Sequence, residues 1–376
     1  MTISVHYVGP IKDNSGYASA AREYINALIQ TKEVDISVEV RSFEQAKTNH
    51  GQLAKTIEPF IGPPHSHNKI QIIHTTPENF PIHKKPNKYN IGYTTWETDK
   101  LPPKWIDLCN SMNEIWVPSQ WNVEVFKKSG VIVPITKIPH VIRLPEITVD
   151  PLAIDPQFDK SYIFYSIFQW LERKNSRALL RAYLTEFKAN EPVVLLVKSY
   201  RINTSPQEKE VVKQEIKRIK DNLRLKTYPP ILFFGDLMTA EQMQALHLRG
   251  HCFVLPHRAE GFGIPIAEAM AYSKPAITTK YGGSLDFANK ENSYLIDSDI
   301  TPVFGMIFSN YTGDMNWAEP SIRHLKELMR YTYTHQEEAK KKGEVARKNI
   351  ETKLSPEVIG KLMVDRLKQI NISKKR

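Results

Sequence analysis

The sequence predicts an α/β protein made of two doubly wound parallel sheets. Three observations carry that expectation. Short apolar runs alternate with longer helical patterns along most of the 376 residues, as strand-helix units do. The alternation lapses once, in the proline-punctuated stretch "TKIPHVIRLPEITVDPLAIDPQF" at 136–158, and then restarts as a second, similar half. No short repeat and no low-complexity block competes with this reading, so a solenoid is disfavoured. The expected division is a first domain at 1–152, a second at 153–354, and a final helix with a basic tail at 355–376.

The elements follow in order. In the first half "ISVHYVG" reads as a strand, "YASAAREYINALIQ" as an amphipathic helix, and "ISVEVRSF", "KIQIIHTT", "YNIGYTTW" and "NEIWVPS" as further strands. In the second half the strands are "YIFYSIF", "PVVLLVKS", "PILFFGD", "CFVLPH", "PAITT" and "SYLID". The helices between them are "SRALLRAYLTEFKA", "PQEKEVVKQEIKRIKDNL", "TAEQMQALHLR" and "PIAEAMAYS". From 321 to 353 the pattern is helical throughout, and "SPEVIGKLMVDRLKQI" adds a last helix.

Composition excludes several classes. With 41% hydrophobic and 24% charged residues the chain is ordinary for a soluble globular protein. No apolar run reaches membrane-spanning length and the amino terminus reads as a strand, so the expected location is cytoplasmic, with peripheral contact at an inner membrane surface left open. Cys109 and Cys252 are too few and too far apart for a disulfide framework or a zinc site. The net charge of +10 is uneven: residues 1–150 hold sixteen Lys/Arg against fifteen Asp/Glu, and the rest hold thirty-five against twenty-six. A basic second half suits a phosphate-bearing ligand, an anionic membrane or nucleic acid.

The segment "RAEGFGIPIAEAMA" concentrates the chemistry. Glu260 and Glu268 stand with seven residues between them, among them Gly261, Phe262, Gly263 and Pro265. Pro265 fits a helix start, which leaves the glycines just outside it, where their backbone can approach a ligand and offer N–H groups to an anion. A carboxylate beside such a turn can grip a sugar diol. The plain alternative is that both glutamates only cap and charge-complement the helix.

This segment resembles the signature of the retaining nucleotide-sugar glycosyltransferases called family 4, or group 1, which have the two-domain GT-B fold. "YTTWETDKLPPKW", "EIWVPSQWNVEVFKKSGV" and "IPHVI" are similar to the later part of that family's acceptor domain. "FQWLERKNSRALLRAY" resembles its phosphate-binding loop, and "PAITTKYGGSLDF" its glycine pair. The resemblance implies two Rossmann-like domains facing a cleft, with the last helix returning to the first domain. It implies that Glu260 contacts the transferred sugar, Glu268 the ribose, and Gly261, Phe262 and Gly263 the sugar diphosphate through their amides. Lys174 falls on the diphosphate, with Arg173 assisting. Where many members carry an arginine before that lysine this chain has Gln169, and Lys198 is the candidate replacement. Gly16, in "GPIKDNSGYASAAREY", falls where a glycine approaches the diphosphate, with Ser15 or Asn14 as a simple helix cap under the plain reading.

His74 and Glu97, at probable strand ends of the first half, are the acceptor-side candidates. The triplet at Asp297–Asp299 is expected to be a turn and helix cap rather than a metal site, and no metal is expected to be needed. The histidines near Cys252 and those of "PPHSHNK" read as structural and as a polar loop. The implied donor is a UDP-, GDP- or ADP-sugar, with no tightly bound cofactor. The acceptor is expected to be a glycan or lipid-linked hydroxyl. A hydroxymethylated base in DNA is the main alternative, and a sugar-nucleotide epimerase or an inactive binding protein remain others. Oligomeric state is not readable from the residues.

Overall fold

The computed structural model describes residues 2–13, 15–41, 55–65 and 67–373; Asn14, the end of the strand expected at 36–43, and the last residues of the basic tail lie outside them. Contacts divide the chain into two units, 1–143 with 351–376, and 144–350. The expected boundary at 152/153 moves because residues 144–152 are already tied to the second unit. The Leu152 N–H donates to the Ala245 carbonyl at 2.8 Å and the Thr148 N–H to Gln244 Oε1 at 2.8 Å.

The first unit is a parallel six-stranded sheet in the order β2-β1-β3-β4-β5-β6, with β1 (Ile3–Gly9), β2 (Val34–Val40), β3 (Ile70–His74), β4 (Tyr89–Tyr93), β5 (Glu114–Val117) and β6 (Ile135–Lys137). Helix α1 (Gly16–Thr31) follows β1, because Ser15 Oγ accepts the Ala18 N–H at 3.2 Å and Ala18, Ala21, Ile25 and Leu28 form one buried stripe. Helices α2 (Pro103–Asn110) and α3 (Gln120–Ser129) link the later strands.

The second unit is also a parallel six-stranded sheet, in the order β12-β11-β10-β7-β8-β9. Its strands are β7 (Tyr162–Gln169), β8 (Val193–Tyr200), β9 (Ile231–Phe234), β10 (Cys252–Leu255), β11 (Ala276–Thr279) and β12 (Tyr294–Ile296). Helices α4 (Ser176–Glu186), α5 (Pro206–Leu223), α6 (Ala240–Arg249) and α7 (Ile264–Ala271) alternate with them. The order reverses between β7 and β10, which leaves a crevice at their carboxyl ends.

The triplet at Asp297–Asp299 departs from expectation. It caps no helix; it turns β12 into β13 (Ser298–Pro302), which pairs antiparallel with β14 (Asn316–Pro320). That pairing spans a long loop, so no local window reveals it. The long helical pattern is also broken, into α8 (Ile322–Thr334) and α9 (Gln336–Leu354), with the break at His335. Beyond the break α9 lies against the turn after α7, where a Cβ on Gly343 would stand 2.1 Å from the Ser273 carbonyl.

The last helix, α10 (Pro356–Ser373), packs on α1 within the first unit. Gly360 permits the approach, since a Cβ there would stand 2.9 Å from the Ala27 carbonyl oxygen. Arg366 grips the fully buried Glu114 with Nε and Nη2, each at 2.8 Å. Among the described residues no helix is long and apolar enough to cross a membrane.

Candidate active site

The crevice between β7 and β10 is where the loops carrying "ERKN" and "HRAEGFG" meet. Their backbones are tied directly: the Arg173 carbonyl accepts the N–H of Arg258 at 2.7 Å and that of Ala259 at 3.4 Å. Beneath them lies Arg258, 6% exposed, donating through Nη1 to the Glu172 carbonyl at 2.7 Å and to its carboxylate at 2.9 Å, and through Nε to Glu319 at 2.5 Å. Its guanidinium also covers the rings of Phe304 and Trp317, 4.7 and 5.5 Å from their centroids. The β13–β14 hairpin therefore holds the floor of the site through Arg258.

Glu260 is the centre of this cluster. It is 5% exposed, forms a hydrogen-bonded ion pair with Lys174 Nζ, and lies 3.6 Å from Arg173 Nη1. Burial pushes its carboxyl upward, but Lys174 and Arg173 outweigh that and hold it below the usual carboxylate range. Two cations face one carboxylate, so the cluster carries one net positive charge. Beneath it Arg258 faces two carboxylates, Glu172 and Glu319, so that layer adds no positive charge and sums to one net negative charge. Beside them His257 is fully buried, and burial, with Lys174 and Arg173, drives its imidazole down to about 4 against the opposing pull of Glu260, so it is neutral at pH 7.

Glycine shapes the backbone around Glu260. Gly263 has φ +98° and is the N-cap of α7, with no side chain capping the helix, so neither glutamate acts as its cap. Pro265 lies in the first turn. Glu268 falls one turn further on, half-buried. Phe262 is buried with its ring 5.0 Å from that of Phe287, which anchors the Gly261–Gly263 turn from inside. Gly282, at φ +82°, is required: a Cβ there would stand 2.6 Å from the Glu260 carbonyl oxygen, which accepts the Gly283 N–H at 2.8 Å.

The structure thus brings Arg173, Lys174, Glu260 and the Gly261–Gly263 turn together. Lys198 stands on β8, buried, 5.9 Å from the Tyr200 ring; burial lowers its ammonium's pKa and Asp236 opposes the shift. Gln169 donates to the Arg201 carbonyl at 2.9 Å. Arg258 was not among the sequence candidates, His257 was read as structural, and Gly282 entered only as one of the glycine pair in "PAITTKYGGSLDF". The signal for Arg258 was an arginine two residues before Glu260 at the end of an apolar strand.

In the first unit the sheet order reverses between β1 and β3, and His74 ends β3 there. Its Nδ1 meets Tyr7 Oη at 2.7 Å, and burial with nearby His140 keeps it neutral, well below the ordinary imidazole value. The ring of Tyr17 of α1 lies 5.5 Å from that of His74, inclined by 48°, and its Oη meets Thr94 Oγ1 at 3.0 Å, in the loop that carries Glu97. His74, Tyr17 and Glu97 therefore share the carboxyl end of this sheet. Gly16 is exposed as the first residue of α1, and a Cβ there would have no neighbour within 4 Å.

Comparison with known proteins agrees with this arrangement. Residues 155–301 match the family model of glycosyl transferases group 1. The chain is 31% identical over 85 residues to probable sucrose-phosphate synthase 5 of Oryza sativa subsp. japonica, covering 22% of this chain and 8% of that protein. The chain spans a small part of the curated relatives it matches. Over 99% of its length it is similar in fold to all of the sucrose-phosphate synthase from Thermosynechococcus elongatus, with a TM-score of 0.68 and 13% identity. Anabaena HepE in complex with UDP-glucose gives 0.68 at 11% identity, covering 98% of this chain and 100% of that one. The second unit therefore carries the domain of the group 1 glycosyltransferases, and the chain has the GT-B fold.

Proposed function

We propose that the protein transfers a hexosyl group from a nucleoside-diphosphate sugar to an acceptor hydroxyl, with retention at the anomeric carbon. The observation that carries this reading is the buried Glu260–Lys174–Arg173 cluster at the β7/β10 reversal, with its net positive charge. Lys174 and Arg173 take the diphosphate, the Gly261–Gly263 amides assist, Glu260 grips hydroxyls of the sugar, and Glu268 grips the ribose. Lys198 is a further donor-side candidate and Gly16 its counterpart in the first unit. The similarity to HepE, solved with UDP-glucose, supports a nucleotide-sugar donor.

A double displacement needs a carboxylate free to attack, and Glu260 is instead engaged by Lys174. This favours a route in which the leaving diphosphate takes the acceptor proton on the same face of the sugar. The chain then contributes positioning and stabilisation of the departing phosphate, with no metal needed. His74 and Glu97 are the acceptor-side groups, and a glycan or lipid-linked hydroxyl is the acceptor, met in the cytoplasm or at an anionic membrane surface.

Glu260→Ala and Lys174→Ala are each expected to abolish most transfer while circular dichroism shows an intact fold. Wild-type turnover in both would overturn the assignment. A panel of UDP-, GDP- and ADP-sugars, scored by nucleotide release with oligosaccharide, lipid-linked glycan or hydroxymethylated DNA as acceptor, identifies the substrates. Transfer to the DNA alone would replace the glycan reading.

A further inference from the structure

The amino-terminal edge of the first sheet, opposite the strand ends that carry His74 and Glu97, holds a second convergence of side chains. Asp35, the second residue of β2, receives His67 Nε2 on its Oδ2 at 2.7 Å and His65 Nδ1 on the same atom at 3.2 Å. The three donor atoms lie within 4.8 Å of one another. The two rings stand 5.5 Å apart and are inclined by 30°.

The chain delivers both histidines to this place by main-chain bonding. The Gly62 N–H donates to the Val38 carbonyl at 3.0 Å, which lays the segment along the outer edge of β2, and the Asn68 N–H closes a turn on the His65 carbonyl at 3.0 Å. The carboxylate is oriented from behind. Ser4 Oγ donates to Asp35 Oδ2 at 3.0 Å and accepts Asn68 Nδ2 at 2.5 Å, while Asn68, 4% exposed, accepts Ser37 Oγ at 3.1 Å. A buried hydrogen-bonded partner behind a carboxylate is the support that metal ligands commonly have.

We propose that Asp35, His65 and His67 bind a divalent transition-metal ion of the zinc class, with water completing its coordination. Two imidazole nitrogens and one carboxylate oxygen favour zinc, nickel or copper over magnesium and calcium, which prefer all-oxygen sites. Bonds of about 2.0–2.2 Å place tetrahedral ligand atoms roughly 3.3 Å apart, so the present spacing needs only small side-chain shifts. The ion replaces two hydrogen bonds that compete for one oxygen and fastens the turn at His65 and His67 to the sheet edge.

The test is titration of the full chain, stripped with EDTA, with ZnCl2 and in parallel with MgCl2, by calorimetry at pH 7.5. One saturable zinc site of micromolar or tighter affinity is expected, with a rise in Tm and no response to magnesium. H65Q and H67Q should each weaken zinc binding at least tenfold, and the double variant should lose it. These side chains are 43% and 65% exposed, so the variants keep the fold, as a circular dichroism melt without metal would show. Absence of a one-to-one event, affinity only in the millimolar range, an equal magnesium response, or unchanged binding in the double variant would overturn the proposal.

Discussion

Glu260→Gln separates the two jobs that the buried cluster performs. At 3.6 Å the attraction between Arg173 and Glu260 is about 4–5 kcal/mol at an effective dielectric of about 20, and Lys174 is closer. Desolvation of the ions offsets much of that, so loss of the carboxylate should cost about 3–5 kcal/mol of stability, the usual consequence of leaving a buried charge unmatched. The local charge rises from +1 to +2, because two cations remain and the one carboxylate is gone. UDP should therefore bind at least as tightly to E260Q as to the wild type, while sugar transfer falls at least a hundredfold. K174M should instead weaken UDP binding by roughly 10- to 150-fold, from loss of a charged hydrogen bond of about 1.5–3 kcal/mol. In K174M/E260Q both charges leave together, and stability should return to within about 1 kcal/mol of the wild type. Urea unfolding and calorimetry with UDP read the two quantities independently. If E260Q weakens UDP as much as K174M does, Glu260 is not balancing cations that serve the diphosphate, and the reasoning fails.

Gly282→Ala should lower transfer by ten-fold or more with a smaller effect on melting, since the added Cβ would press on the Glu260 carbonyl at 2.6 Å; an active variant would show that the Glu260 backbone tolerates displacement. Arg366→Met should cost about 3–5 kcal/mol by urea unfolding, because it strands the buried Glu114, and E114Q/R366M should recover most of the loss. His140, His247 and His257 are held by burial at about 3, 3 and 4, below their unfolded value. The unfolded chain therefore binds more protons once the pH drops below about 6.5, and each histidine should remove about 1.4 kcal/mol of stability per pH unit down to its folded value. Melting temperatures that stay flat from pH 7 to 5 would contradict this.

The features legible in the sequence were those set by local chemistry. Strand-helix alternation located the strands of both six-stranded sheets apart from β6, because buried parallel strands read as apolar runs whatever their neighbours. The glycines and proline around Glu260 marked a helix entrance because few other residues adopt φ +98° at the N-cap. What escaped depends on contacts distant in sequence. Arg258 becomes part of the floor of the site only once the β13–β14 hairpin brings Glu319 and Trp317 to it. The hairpin was itself missed, since its two strands meet across a loop that no helical or strand period spans. The convergence of the two histidines of "PPHSHNK" on Asp35 was not legible for the same reason. Asp35 lies thirty residues earlier in the chain than His65, and only the edge bonding to Val38 brings it to them. Position in the sheet, more than residue type, thus separates Glu260 from Asp35. Glu260 is enclosed at a strand-order reversal, where charge must be matched and a ligand can be received. Asp35 stands at an open edge, where water screens its histidines and an ion can enter from solvent.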